Sequence, residues 1–171
     1  MVDVAHKACT LRSATATGHI YVPRVAYDLV FRRDSLEIAH DSREAKAQRK
    51  GDVLAVAQVS AIMAAKKTSS LIPLCHPLTL SHIDINFTPE LPQPGVDSED
   101  RPKIICTAQV TCEGKTGVEM EALTAVSVGL LTIWDMLKAV AGKEMEIGGV
   151  MVINKSGGQS GDFQRGRLDM T

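Results

Sequence analysis

The chain lacks an excess of charge of either sign. Its 171 residues carry 19 Lys and Arg against 20 Asp and Glu, a formal net charge of -1. No global field therefore favours nucleic acid or an anionic membrane, and an anionic substrate must be held by local cations. No uninterrupted apolar run approaches the roughly 18 residues that a membrane span needs. The first residues, MVDVAHKACT, have no apolar signal-peptide core. A cytoplasmic location is expected, or the mitochondrial matrix for a eukaryotic chain whose targeting segment has been removed. The four cysteines, Cys9, Cys75, Cys106 and Cys112, form no CxxC pair and have no CxxH partner. That argues against a disulfide framework and against structural zinc, which wants four clustered ligands. Internal repeats and low-complexity domains are also missing. What remains is 44% apolar and 23% charged, enough for a core in one domain of ordinary size.

Residues 1–16 are small and polar and are expected to form a flexible arm. A single catalytic domain is expected over 17–155, and a Gly-rich tail over 156–171. Within the domain, residues 17–22 suit a short strand, and Pro23 suits the first turn of a helix reaching about Arg33. Residues 34–49 are strongly polar and read as a solvated helix or loop. Over 52–67, Val53, Val56, Ala57, Val59, Ile62 and Met63 recur at helical spacing, with Lys66 and Lys67 at the negative end. Residues 80–88 alternate as a strand, with Ile83, Ile85 and Phe87 on one face. Residues 103–112 do the same with Ile104, Cys106, Ala108, Val110 and Cys112. A Pro-rich acidic loop lies between them. A long helix is predicted over 117–140, opened by a capping box from Thr116 to Glu119 and apolar on nearly all sides. Such a helix is expected to be buried all round, which implies an oligomer that covers part of it. A last strand follows over 145–154. The order β, α, α, β, β, α, β predicts an α+β sandwich of ferredoxin-like type, an antiparallel sheet packed by helices.

Several residues stand out chemically. Lys50, followed by Gly51, sits just before a helix N-terminus, where a cation is disfavoured and an anion is welcome. It reads either as an anion contact or as a solvated lysine of the Arg49-Lys50 run. Pro73 and Pro77 bracket Leu74, Cys75 and His76, which makes this segment stiff. His76 suits proton transfer or phosphate binding, against the alternative of a structural histidine in a rigid turn. Cys75 reads as a wall residue, since nothing nearby in sequence would lower its pKa. On the long helix, Glu121, Thr124, Val128, Leu131, Asp135 and Lys138 share one stripe. An Asp135–Lys138 pair inside a buried helix would be costly, so a functional role is favoured over an ordinary i, i+3 pair. Glu119 has a sufficient structural job in the capping box; Glu121 is the better ligand candidate. From Glu121 to Lys138 is roughly 25 Å along the axis, so either the ligand is long or the two serve different sites at subunit interfaces. The tail KSGGQSG has the composition of a phosphate cradle without P-loop spacing.

The segments KGDVLAVAQVSAIMAAKKTSSLIPLCHPL (50–78), GKTGVEMEALTAVSVGLLTIWDMLKAV (114–140) and KSGGQSGDF (155–163), with MVDV at the start, resemble molybdenum cofactor biosynthesis protein C, the cyclic pyranopterin monophosphate synthase family. The resemblance implies a ferredoxin-like fold and a homohexamer, a trimer of dimers with active sites at a subunit interface. It implies a lyase that converts 3′,8-cyclo-7,8-dihydro-GTP, supplied by a radical GTP cyclase, to cyclic pyranopterin monophosphate and pyrophosphate. It further implies Asp135, Lys50 and Lys138 as catalytic residues. Leu74, Cys75, His76, Met120 and Glu121 would line the substrate site, joined by Glu119, Lys155 and Arg12. No resident metal or cofactor is implied, although a divalent cation could accompany pyrophosphate; nor is any nucleic-acid or membrane partner. Family members often carry lysine where Gln159 stands. Two rivals are a non-catalytic nucleotide-sensing module on the same fold and a zinc hydrolase using His76 and Cys75.

Overall fold

A computed structural model describes residues 1–32, 42–92, 101–158 and 161–166. Five strands form one antiparallel sheet: β1 (Thr10–Tyr21), β2 (Leu80–Glu90), β3 (Lys103–Gly114), β4 (Glu146–Ser156) and the short β5 (Phe163–Gln164). Their order across the sheet is β2-β3-β1-β4-β5. The helices are α1 (Arg24–Phe31), α2 (Arg43–Gln48), α3 (Val53–Lys66), α4 (Thr68–Leu71) and α5 (Glu119–Ala141). With α3 between β1 and β2 and α5 between β3 and β4, the chain is the α+β ferredoxin-like sandwich that its pattern predicts.

Alternation builds the sheet. On β3, Ile104, Cys106, Ala108, Val110 and Cys112 are all buried, as their period of two requires. Ile85 of β2 is buried beside them, while Asp84 and Asn86 face out. Strand β1 begins at Thr10, so residues 10–16 belong to the central strand and not to the expected arm. Its inward residues there are Arg12, Ala14 and Ala16, one charged and two weakly apolar, too little hydrophobicity for the alternation to read as a strand. Pairing settles it: β1 runs in unbroken register with β3, from Thr10 opposite Gly114 to Tyr21 opposite Lys103. At the other end, β4 reaches Ser156 and β5 pairs back onto Asn154 and Lys155.

Helix α3 is capped by Asp52, whose carboxylate accepts the Ala55 N–H at 2.9 Å. Its buried residues are Ala57, Ala61, Ala64 and Ala65, and the larger Val56, Val59 and Met63 are exposed. The small residues are inward because α3 packs closely on α5. Gly129 of α5 lies there, where an added Cβ would sit 3.4 Å from the Ala61 Cβ and 3.3 Å from the Phe87 ring. Gly18 of β1 does the same for the helix-to-sheet contact. A Cβ at that position would come within 2.8 Å of Val126 and 3.1 Å of Leu130.

One expectation for α5 is corrected. The capping box does not form: Val118 is the N-cap, with no side-chain cap bond. The Glu119 carboxylate instead folds over Gly117, where any Cβ would collide with it, and pairs with Lys155 at 3.3 Å. Within one chain the helix is covered on one side, and the rest of its surface is what the expected oligomer would cover. Ala122, Ala125, Val126, Leu130, Ile133 and Leu137 are fully buried against the sheet and α3, but Leu131 is 58% exposed. The sheet, α3 and the short α1, α2 and α4 contact the helix and leave part of its circumference open. By length and composition α5 could cross a bilayer; here its apolar stripe is the core of the sandwich.

Candidate active site

Two groups of polar residues lie toward opposite ends of α5. The first is built around Asp135. Gly51, at φ +100°, turns the chain between α2 and α3 in a conformation that favours glycine. Lys50, just before it, reaches α5 across 85 positions of sequence. Its Nζ donates to the Asp135 carbonyl at 2.6 Å and to Oδ2 at 3.3 Å. Lys138 Nζ donates to Oδ1 at 2.5 Å. Each carboxylate oxygen thus receives one ammonium. The hydrogen bonds from Lys138 and then Lys50, with their charges, hold the Asp135 carboxyl below its ordinary pKa of 3.8.

Within one chain the Asp135–Lys138 pair is not buried. The Asp135 and Lys138 side chains are 60% and 57% exposed in the single chain. The pair lies on the flank of α5 that the sheet does not cover, so burial no longer argues for its function. An isolated exposed pair would also add little stability. What distinguishes this one is Lys50, brought from another element to complete a lysine–carboxylate–lysine set able to give and accept protons.

The second group surrounds the start of α5. Glu121 is 4% exposed; burial raises its pKa above the ordinary carboxylate value, and repulsion from Glu119 adds to this. Cys75 lies within the field of Glu121: its thiol pKa is raised by burial and then by that charge. The Pro73–Pro77 segment lies at this end of the helix: Leu78, which follows it, comes within 3.8 Å of the position a Cβ would take on Gly114, just ahead of α5. The Cys75 N–H donates to Ile72 O at 3.1 Å, closing a tight turn that leaves Leu74 exposed and Cys75 and His76 half-buried. Met120 is partly exposed beside Glu121. Arg12 is buried in β1, and its Nε donates to the Gly114 carbonyl at 2.8 Å. Arg12, Lys155 and Glu119 line a cavity of about 410 Å³. Glu119 thus lines the cavity and has no capping job.

Lys7 and Lys115 line the same cavity and were not singled out by sequence reasoning. Lys115-Thr116-Gly117 precedes α5 much as Lys50-Gly51 precedes α3, so Lys115 carries the same local signal as Lys50: a lysine and a glycine ahead of a helix N-terminus. Lys7 has no comparable local signal. Gln159 lies outside the described residues. Among the described residues, no group of three or more His, Cys, Asp or Glu side chains is placed to hold a metal ion.

Residues 1–158 match the sequence model of the MoaC family. The chain belongs to the MoaC family. It is 48% identical over 165 residues to a cyclic pyranopterin monophosphate synthase of Chloroflexus aggregans, covering 96% of this chain and 87% of that one. Similar proteins of the same name from Campylobacter jejuni and Bacillus cereus are 46% and 44% identical, each over 96% of this chain and over 91% and 90% of theirs. In this MoaC-family chain, residues 50–78 carry Lys50 and the Pro73–Pro77 turn, and residues 114–140 carry both ends of α5. The segments that resemble the family supply both polar groups, apart from Arg12 of β1.

Proposed function

We propose that this chain is a cyclic pyranopterin monophosphate synthase. It converts 3′,8-cyclo-7,8-dihydro-GTP to cyclic pyranopterin monophosphate with release of pyrophosphate, an early step of molybdenum cofactor biosynthesis. The observation that carries this reading is the near full-length similarity to proteins named for that product. The geometry then suggests a division of labour. Lys50, Asp135 and Lys138 move protons while the reduced purine ring opens and the pterin closes. Arg12 and Lys155 offset phosphate charge at the far end of α5, with His76, Leu74, Cys75, Met120, Glu119 and Glu121 around the substrate. A substrate hydroxyl attacks the α-phosphorus and gives up its proton to the base. The bond from the α-phosphorus to the bridging oxygen breaks, and pyrophosphate leaves. These steps are proton and phosphoryl transfers and require no redox group.

One chain does not join the two groups, because roughly 25 Å of helix separates them. A second copy that brings its Asp135 cluster to the first copy's cavity would complete the site. The exposed Val56, Val59, Met63 and Leu131 supply apolar surface for such contacts, and a homohexamer, a trimer of dimers, is the assembly this reading favours. The substrate comes from a radical GTP cyclase, and the working location is the cytoplasm.

The test is incubation of the purified protein with the cyclised GTP intermediate. Stoichiometric pyrophosphate and cyclic pyranopterin monophosphate are expected. Binding without either product would identify a sensing module and refute the reading. Repeating the reaction in chelator decides whether a divalent cation accompanies the pyrophosphate.

A further inference from the structure

We infer that the short helix α2 is a docking arm for Lys50, and that Ala47, seated between α1, α3 and α5, is the positioning residue that sets how far the Lys50 ammonium reaches along Asp135. The proton-transfer role of Lys50 is that of the proposed reaction; the docking geometry is independent of it. Helix α2 is six residues long, too short to persist in water by its own hydrogen bonds. Ser42 caps its start, the hydroxyl accepting the Ala45 N–H at 3.1 Å. Ala47 is its one buried residue, at 3% exposure. The same Ala47 holds Lys50 by the backbone: its carbonyl accepts the Lys50 N–H at 3.1 Å, and Gln48 O accepts the Gly51 N–H at 3.0 Å. Lys50 therefore rides on α2. Helix α3 starts afresh beyond Gly51 with its own cap, Asp52.

The seat lies beside the carboxylate it serves. Ala47 borders a cavity of about 30 Å³ together with Leu29 and Val30 of α1, Val53 of α3 and Leu137 of α5. Leu137 is fully buried. It adjoins Lys138 and stands two residues, about 3 Å of helix rise, from Asp135. The depth to which Ala47 enters this cleft fixes the span from α2 to Asp135. Lys50 Nζ closes that span with bonds of 2.6 Å to the carbonyl and 3.3 Å to Oδ2. The cavity has the size of about one water, so serine fits at position 47 and leucine does not. Gly51, at φ +100°, forms the joint, and a Cβ there would meet nothing within 4 Å. Glycine is needed there for backbone angle and not for space. A misplacement of about 1 Å at a reacting group can cost about 10²-fold in rate, so the fit of one methyl group in its cleft bears on turnover.

Two measurements on the full-length protein test the arm. In turnover of the cyclised nucleotide, Ala47→Leu should lower kcat by about 10²-fold and leave KM nearly unchanged, and Ala47→Ser should recover most of the loss. Added to Lys50→Ala, Ala47→Leu should cost nothing further, because both act through one ammonium; a merely structural change would lower both backgrounds alike. The second measurement needs no substrate. Under a limiting amine-acetylating reagent, Lys50 should react several times faster in Ala47→Leu than in the parent, with the other lysines unchanged. A kcat within twofold of the parent, a further loss in the double variant, or unchanged acetylation of Lys50 would each overturn the arm. Should a thermal melt show Ala47→Leu unfolded, Gly51→Ala carries the same test, since it strains the joint without a collision. Absence of product from the parent would refute the proposed reaction, and the acetylation of Lys50 then decides the arm alone. Normal turnover by Ala47→Leu with unchanged acetylation would sink the arm and leave the reaction standing.

Discussion

Replacing Asp135 with Asn removes one charge and leaves the shape. In the parent, both carboxylate oxygens are engaged, one by Lys138 at 2.5 Å and one by Lys50 at 3.3 Å. A carboxamide has one acceptor oxygen, and its NH2 must then face the second ammonium, donor against donor. Lys50 keeps its bond to the Asp135 carbonyl at 2.6 Å and stays close, so the change is electronic and not a rearrangement. Loss of a positioned acid–base group typically lowers turnover by about 10²–10⁴-fold, and that drop in kcat is expected for Asp135→Asn. Stability should hardly move, because the Asp135 and Lys138 side chains are more than half exposed and such pairs add little; the melting temperature should change by no more than about 3 °C. The depressed pKa makes a further demand. Asp135 stays ionised until the pH falls below 3.8, so an acid limb between pH 5 and 8 cannot be its titration and should survive in any residual activity of the variant. Single-turnover rates of pyrophosphate release and thermal melts decide the matter. Turnover within threefold of the parent, or a collapse of the melting temperature, would refute the role assigned to Asp135.

Glu121→Gln should reveal a stability that depends on pH. The folded chain keeps the Glu121 proton at pH values where the unfolded chain, with its carboxyl near 4.5, has lost it, so its contribution to stability falls as pH rises above 4.5. The variant should melt above the parent at pH 7 and level with it below pH 4; a constant gap would argue against burial as the cause. Gly18→Ala should destabilise by about 1–3 kcal/mol, because its Cβ would crowd Val126, Val150 and Leu130. A chemical denaturation midpoint unchanged from the parent would contradict the close helix-to-sheet contact. Thiol reactivity should rank by burial: Cys9 is exposed, whereas burial pushes the Cys106 thiol up to about 12. A thiol-exchange reagent at pH 8 should label Cys9 promptly and Cys106 only on unfolding; prompt labelling of Cys106 would contradict the packed core.

The sandwich was legible where apolar residues alternate or recur with bulk. Ile83, Ile85 and Phe87, and the run from Ile104 to Cys112, marked their strands without ambiguity. The start of β1 was not, because Ala14 and Ala16 carry too little hydrophobicity to distinguish a central strand from a loop. The inward face of α3 is not legible for the opposite reason. Large apolar side chains suggest burial, but the close α3–α5 contact admits only alanine and glycine there, and Val56, Val59 and Met63 are displaced outward.

By itself, then, the sequence determined the fold class, the family resemblance and the residue types at the site, since periodicity and motif spacing are properties of the chain. Only the tertiary structure decided which residues meet. It brought Lys50 onto Asp135, freed Glu119 from helix capping to pair with Lys155, and laid Lys7 and Lys115 along the Arg12 cavity. The physical reason is distance. Hydrogen bonds and ion pairs act over a few ångströms, and the 85-residue separation that Lys50 bridges here is closed by packing of the sheet and helices, which leaves no local mark in the sequence.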